Sequence, residues 1–158
     1  LDTYVEFTGA GTMRFADFVN GGAARDVLER IIVKKHDYRA SFQCLRNSAT
    51  DFSTLNACAA LWDGQWHLAV GARPKKAKFL EGEDLGLPAR FSPEELDAAC
   101  QRARDLNYGT DRRASAAYRA ELAEVLSRRA ILEAAAQQDV ATELRLAAEA
   151  AKPKGVSA

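Results

Sequence analysis

The sequence predicts an α+β fold, a mainly antiparallel four-stranded sheet with two to three C-terminal helices packed on one face. Three observations carry that prediction. Segments 27–34, 38–45, 52–61 and 67–73 are β-branched or alternate apolar and polar residues with the period of a strand. Asp63-Gly64 stands between two of them, and a two-residue hairpin turn needs positive φ at both central positions, which Asp and Gly tolerate. From Ser92 onward the apolar residues recur at helical spacing.

Taken in order, Thr3–Phe7 and Thr12–Phe15 read as a hairpin broken by Gly9-Ala10-Gly11. That glycine pair lacks the third glycine and the strand–turn–helix setting of a phosphate cradle, so it reads as a turn. Residues 15–19 form a short helical turn ended by Gly21-Gly22. The strand at 27–34 is expected to open the sheet, with Lys34-Lys35 blunting its end. In 38–45, Tyr38, Ala40, Phe42 and Cys44 are expected on the core face. In 52–61, Phe52, Leu55, Ala57, Ala59 and Leu61 are expected inside, with an irregularity near Thr54. Trp62 and Trp66 are expected to pair across the hairpin, and His67 reads as a half-exposed strand histidine.

Arg73-Pro74-Lys75-Lys76 ends the sheet, and 81–88 reads as a loop. Ser92, Pro93 and Glu95 then write a capping box with proline at the first helical position. Leu96, Ala99, Cys100, Ala103 and Leu106 give that helix its buried stripe, and Asn107-Tyr108-Gly109 stops it. Asp111 or Ser115 caps the next helix, whose inner positions are expected at Tyr118, Leu122, Val125, Leu126 and Ala130, with Arg119, Glu121, Glu124 and Arg128 outward. Between Ala130 and Ala151 there is neither glycine nor proline, so helix continues or restarts near Asp139. Val140, Leu144 and Ala147 form a thin stripe there, and Lys152–Ala158 is expected to be loose.

Twenty-two basic residues balance twenty-two acidic ones, which argues against a nucleic-acid or membrane-surface partner. No apolar run approaches the roughly 18 residues of a membrane span. Cys44, Cys58 and Cys100 are odd in number and widely spaced, which fits free thiols in a reducing, cytoplasmic compartment. The chain opens at Leu1, within an expected strand, and is read as a piece of something longer. With only His36 and His67, no triad or multi-histidine metal site can be built. Nor do the cysteine spacings resemble zinc or iron–sulfur patterns. On residues alone the chain is a binding or docking module, with the polar loop Arg46–Ser53 at the head of the sheet its most prominent feature.

Three stretches carry a family likeness. Leu45-Arg46-Asn47-Ser48 through Asp51-Phe52-Ser53 to Leu55-Asn56 resembles the strand-entry segment of the C-terminal domain of the FAD-binding (medium) subunit of molybdenum hydroxylases, the group of xanthine dehydrogenase and CO dehydrogenase. Leu68–Pro74 looks like the next strand and its exit in that domain. Asp111–Arg119, followed by Leu126–Ala130, is similar to its penultimate-helix signature. On this likeness residues 1–20 are the tail of a preceding flavin-binding domain, 21–151 the C-terminal domain and 152–158 a loose tail.

The resemblance implies an oxidoreductase subunit that is not catalytic alone. It would relay electrons from [2Fe–2S] clusters through FAD to an acceptor such as NAD, with molybdenum cofactor and clusters on partner subunits. This chain would supply one wall of the FAD pocket. Carried over residue by residue, Leu28 falls where relatives set a leucine against the flavin, and Gln43 where several carry a lysine that contacts FAD. Glutamine there can donate a hydrogen bond but brings no positive charge. Arg46 and Asp51 bound a segment that relatives place beside the flavin; their structural alternative is to bond each other or cap the loop backbone. The rival reading, from another class, is a stand-alone non-catalytic protein-interaction module.

Overall fold

Strand-period patterning builds two separate sheets. The computed structural model describes residues 2–22 and 25–150, with side chains through Gln137, and the chain divides into two compact units between Tyr38 and Arg39.

In the first unit, β1 (Thr3–Phe7) pairs antiparallel with β2 (Gly11–Arg14) on one side and with β3 (Leu28–Val33) on the other. Between them lie the short α1 (Phe15–Asp17) and one wide helical turn, Phe18–Gly22. Val5 and Phe7 are buried on β1. The carboxylate of Asp26 accepts the backbone N–H groups of Gly9 and Ala10 at 2.9 and 2.8 Å, so the amides a phosphate would need are taken and the segment is a turn. The strand expected at 27–34 to open the four-stranded sheet pairs with β1 instead. Leu28, Ile31, Ile32 and Val33 offer apolar side chains to both faces, and a strand patterned that way carries little register information.

The second unit holds the four-stranded antiparallel sheet, in the order β4 (Arg39–Leu45), β5 (Leu55–Trp62), β6 (Gln65–Gly71), β7 (Lys78–Glu81). The fourth strand is therefore β7, in a stretch that reads as the end of the sheet. Short and lysine-led, it is recruited by Leu80, which is buried opposite Leu68. A short helix, α2 (Gly82–Leu85), follows where a loop is expected, then α3 (Pro93–Arg104) and α4 (Ala116–Ala150).

One face of this sheet carries the core. Leu55, Ala57, Ala59 and Leu61 of β5 and Trp66, Leu68 and Val70 of β6 pack against α3 and α4. The Ser92 capping box forms as the sequence predicts: Ser92 Oγ accepts from Glu95 N, and the Glu95 carboxylate accepts from Ser92 N at 2.7 Å. Asp63 and Gly64 take φ of 52° and 72°, the hairpin geometry expected of them.

Several facing assignments are corrected. On β4 it is Ser41 that is buried, whereas Phe42 is 57% exposed and Cys44 lies outside the core, because the helices cover the side that the polar residues occupy. Phe52 is 79% exposed: the strand begins only at Leu55. A two-residue turn sets Trp62 opposite Gln65 and Trp66 opposite Leu61, so the two tryptophans point to opposite faces and do not pair. His67 is buried between the rings of Trp62 and Phe79, at centroid distances of 5.5 and 5.7 Å. Its Nδ1 lies 3.1 Å from Glu81, but off the line of a hydrogen bond.

On α4 the buried positions are Arg119, Ala123, Leu126, Ser127, Ala130, Ile131 and Ala134; Tyr118 and Val125, expected inside, face solvent. The helix runs unbroken to Ala150 without a restart at Asp139. The stripe expected at Val140, Leu144 and Ala147 and the tail from Lys152 lie outside the described side chains and residues. No described helix is long and apolar enough to cross a membrane.

Candidate functional site

The polar loop 46–53 sits where two adjacent core strands come apart. Its base is closed by Thr54 N donating to Leu45 O at 2.7 Å, and its far turn by Asp51 N donating to Ser48 O at 3.2 Å. The two strands are paired in register below it, so the loop is a polar excursion on a hydrogen-bonded frame.

Arg46 holds the inner limb, with Nε toward Cys44 Sγ (3.4 Å) and Nη1 toward Ala49 O (3.4 Å). Asp51 accepts its neighbour Phe52 N at 2.7 Å and pairs with Arg113 at 3.3 Å. Arg46 and Asp51 thus do not bond each other. Each caps loop backbone, and the ion pair runs to a residue 62 positions away that no local pattern could reveal. Arg113 also lies over the exposed Phe52 ring, 5.4 Å from its centroid.

Beneath this rim lies a buried cation. Arg119 is 1% exposed, and every nitrogen of its guanidinium donates a hydrogen bond. Nε donates to Thr54 O (3.0 Å), Nη1 to Gly109 O (2.7 Å) and Ala114 O (2.8 Å), and Nη2 to Asp111 Oδ1 (2.7 Å). One side chain therefore ties the exit of the loop to the segment that starts α4. Asp111 Oδ1 accepts Arg113 N and Ala114 N as well, and Ser115 Oγ accepts Tyr118 N as the helix N-cap.

The Arg119 guanidinium, and after it the Arg113 amide, hold the Asp111 carboxyl at about 2, below its ordinary 3.8. A carboxyl lowered in the folded state favours folding above its ordinary pKa and loses that contribution as pH falls through the folded value. Unfolding free energy measured by denaturant titration is expected to fall as pH drops from 3.8 toward about 2. In Asp111→Asn that part of the pH dependence should flatten.

Phe52, Ser53, Asn56, Ala72, Pro74, Asp111 and Arg113 line an open pocket of about 370 Å³ beside the loop. Ala72 turns the chain there with φ of 57°, in the left-handed region. The wall carries one aromatic ring, a carboxamide, a hydroxyl, a carboxylate and a guanidinium, a set that can take a flat, hydrogen-bonding ligand.

Gln43 and Leu28, also singled out from the sequence, are not among the residues that line this pocket. Gln43 faces α4, and its amide donates to Ser41 Oγ (3.3 Å) and to the Glu133 carboxylate, which also accepts Ser41 Oγ at 2.7 Å. Its donor is thus committed to joining strand and helix. Leu28 lies on β3 of the first unit and is 42% exposed. Gln43, Arg46 and Asp51 share the second unit. Among the described residues no cluster of His, Cys, Asp and Glu could hold a metal ion.

Comparison with known proteins adds three results. The family model for the CO dehydrogenase flavoprotein C-terminal domain matches residues 40–134, a stretch holding the loop, its anchors and strands β5, β6 and β7. The fold is similar to quinoline 2-oxidoreductase from Pseudomonas putida 86, with a TM-score of 0.68, 20% identity, and coverage of 85% of this chain and 52% of that one. It is also similar to carbon monoxide dehydrogenase from Hydrogenophaga pseudoflava lacking the Mo-pyranopterin moiety of the molybdenum cofactor (TM-score 0.70, 18% identity, 86% and 53% coverage). Cyanide-inactivated Cu,Mo-CO dehydrogenase aligns with a TM-score of 0.62 at 22% identity, over 86% and 54%. The chain spans about half the length of these solved chains. No curated protein matches it in sequence. Through the match over 40–134, the chain belongs to the CO dehydrogenase flavoprotein C-terminal domain family.

Proposed function

We propose that the chain is the C-terminal part of the FAD-binding subunit of a molybdenum-dependent hydroxylase or dehydrogenase of the xanthine dehydrogenase kind, and that loop 46–53 forms one wall of the flavin and acceptor site. The observation that carries this reading is the family match over 40–134, which includes the whole loop and both arginines that anchor it. Bound FAD supplies the redox chemistry, taking electrons that a molybdenum-cofactor subunit and an iron–sulfur subunit deliver through [2Fe–2S] clusters and passing them to an acceptor such as NAD.

The residues present suit a ring-edge contact. Arg46 is exposed, and among the described residues its Nη2 has no hydrogen-bond partner, a donor available to a carbonyl or anionic edge. Asp51 and Arg113 hold Phe52 over the pocket mouth, and the pocket takes the flat acceptor. Gln43 brings no charge and has committed its amide to Glu133, so only its carbonyl is left to offer. The Gly9–Gly11 turn builds no pyrophosphate cradle, since its first two amides are given to Asp26. The phosphates are therefore held by other parts of the subunit, and the chain alone binds FAD weakly or not at all. Three unpaired cysteines suit a reducing, cytoplasmic setting.

In the assembled enzyme, Arg46→Ala and Asp51→Ala are each expected to slow flavin reoxidation by about tenfold, the effect of losing roughly 1.4 kcal/mol of positioning. Stopped-flow absorbance reads this directly. Reoxidation at the wild-type rate in both variants would assign the two residues to loop structure alone.

A further inference from the structure

Two residues that strands ordinarily avoid face each other at the loop end of the core sheet. Asn56 on β5 is paired with Gly71 on β6, while the rest of β5 is apolar. The carboxamide oxygen of Asn56 stands 2.5 Å from where a Cβ on Gly71 would be, so the missing side chain is what lets the carboxamide lie against β6. Glycine in a strand commonly marks such a close approach. Asn56 also lines the 370 Å³ pocket.

The polar groups of the pocket wall divide into those already engaged and those left free. The Asp111 carboxylate is paired with Arg119, and Arg113 is paired with Asp51. Among the described residues, the Asn56 carboxamide and the Ser53 hydroxyl have no hydrogen-bond partner, although both residues are half-buried. The charges of the wall are thus answered within the chain, and the groups left unanswered are neutral. An asparagine carboxamide sets an N–H donor beside a carbonyl acceptor, so it meets an edge carrying an acceptor beside a donor through two parallel hydrogen bonds. The Phe52 ring, exposed on the same wall, adds an aromatic face.

We propose that Asn56, held in place by the bare backbone of Gly71, selects the ligand of this pocket: a planar ring that presents a neutral amide edge, C=O beside N–H. On the reading that loop 46–53 walls the flavin and acceptor site, on which this assignment rests, the edge has two sources. It belongs either to the pyrimidine ring of the flavin or to a carboxamide on the acceptor.

A proton–nitrogen correlation NMR titration of the full chain tests it, read at the Asn56 side-chain amide, the pair of signals missing in Asn56→Ala. Riboflavin and nicotinamide are the probes, each set against the form methylated on its amide nitrogen, which keeps the ring and loses the N–H. A saturable shift is expected with the unmethylated probe, and binding about tenfold weaker with the methylated one. A response to riboflavin assigns the edge to the flavin, and a response to nicotinamide assigns it to the acceptor. Asn56→Asp, which keeps the size and loses the donor, should raise the dissociation constant about tenfold. Gly71→Ala should do the same while backbone signals elsewhere stay in place, because the atom it displaces is the end of the Asn56 side chain. No saturable shift with either probe would overturn the proposal. So would methylated forms that bind as well as their parents, or an Asn56→Asp variant that binds like the wild type. Adenosine, whose edge is not an amide, would overturn it by binding more tightly than both probes. Flavin absorbance of the assembled enzyme is independent of all these outcomes, so loss of this assignment leaves the proposed function standing.

Discussion

Replacing Arg119 with methionine is expected to destabilise the second unit by about 2–4 kcal/mol, because several charged hydrogen bonds around a buried guanidinium are lost at once. The side chain is 1% exposed, and its guanidinium answers three carbonyl oxygens and the Asp111 carboxylate. Methionine would fill much of the volume but leave the buried Thr54 O, and the part-buried carbonyls of Gly109 and Ala114, without their donor. Arg119→Lys should rescue little, because one ammonium cannot span acceptors on residues 54, 109, 111 and 114. Denaturant unfolding measures both. A lysine variant close to wild type would show that charge, and not the fork of donors, holds the loop exit to the start of α4.

Trp66→Ala is expected to cost about 3–5 kcal/mol, the usual loss for a large aromatic removed from a packed core. Trp66 is 1% exposed, faces Leu61 across the hairpin and meets Phe91 edge-on at 5.9 Å. Its indole N–H is buried without an acceptor, so the residue is held by packing alone. Trp66→Phe, which deletes that unsatisfied donor along with some volume, should therefore cost well under half as much as alanine. Equal losses in the two variants would mean that the indole nitrogen has a partner in solution.

The parts of this fold legible in the sequence were those fixed by neighbours. The Asp63-Gly64 hairpin, the Ser92 capping box and the inner face of β5 each depend on residues within a few positions of one another, and each formed. Distant pairing was harder to see. Leu28–Val33 joins β1 because its apolar residues serve either face, and Lys78–Glu81 becomes the fourth strand on the strength of one buried leucine. On α4, two stripes at helical spacing competed. The one through Tyr118 and Val125 is the more apolar, yet the helix buries the one through Arg119, Ala123 and Ala130. That choice depends on acceptors at Thr54, Gly109 and Asp111, which no helical period reports. The candidate site shows the same division. Its loop, with Arg46 and Asp51, stands out as a polar interruption between strands, whereas the Arg113 that pairs with Asp51 and the Glu133 that takes Gln43 become visible only in three dimensions.

The central claim is that this chain helps enclose a flavin held mainly by other parts of its subunit. Its most direct test is flavin absorbance, measured on the proposed assembly with molybdenum and iron–sulfur subunits and on the present chain alone. A stoichiometric FAD in the assembly, with weak or no binding by residues 1–158, is the expected result. An assembly that purifies with every subunit present yet no flavin, or a chain that holds FAD stoichiometrically by itself, would contradict it.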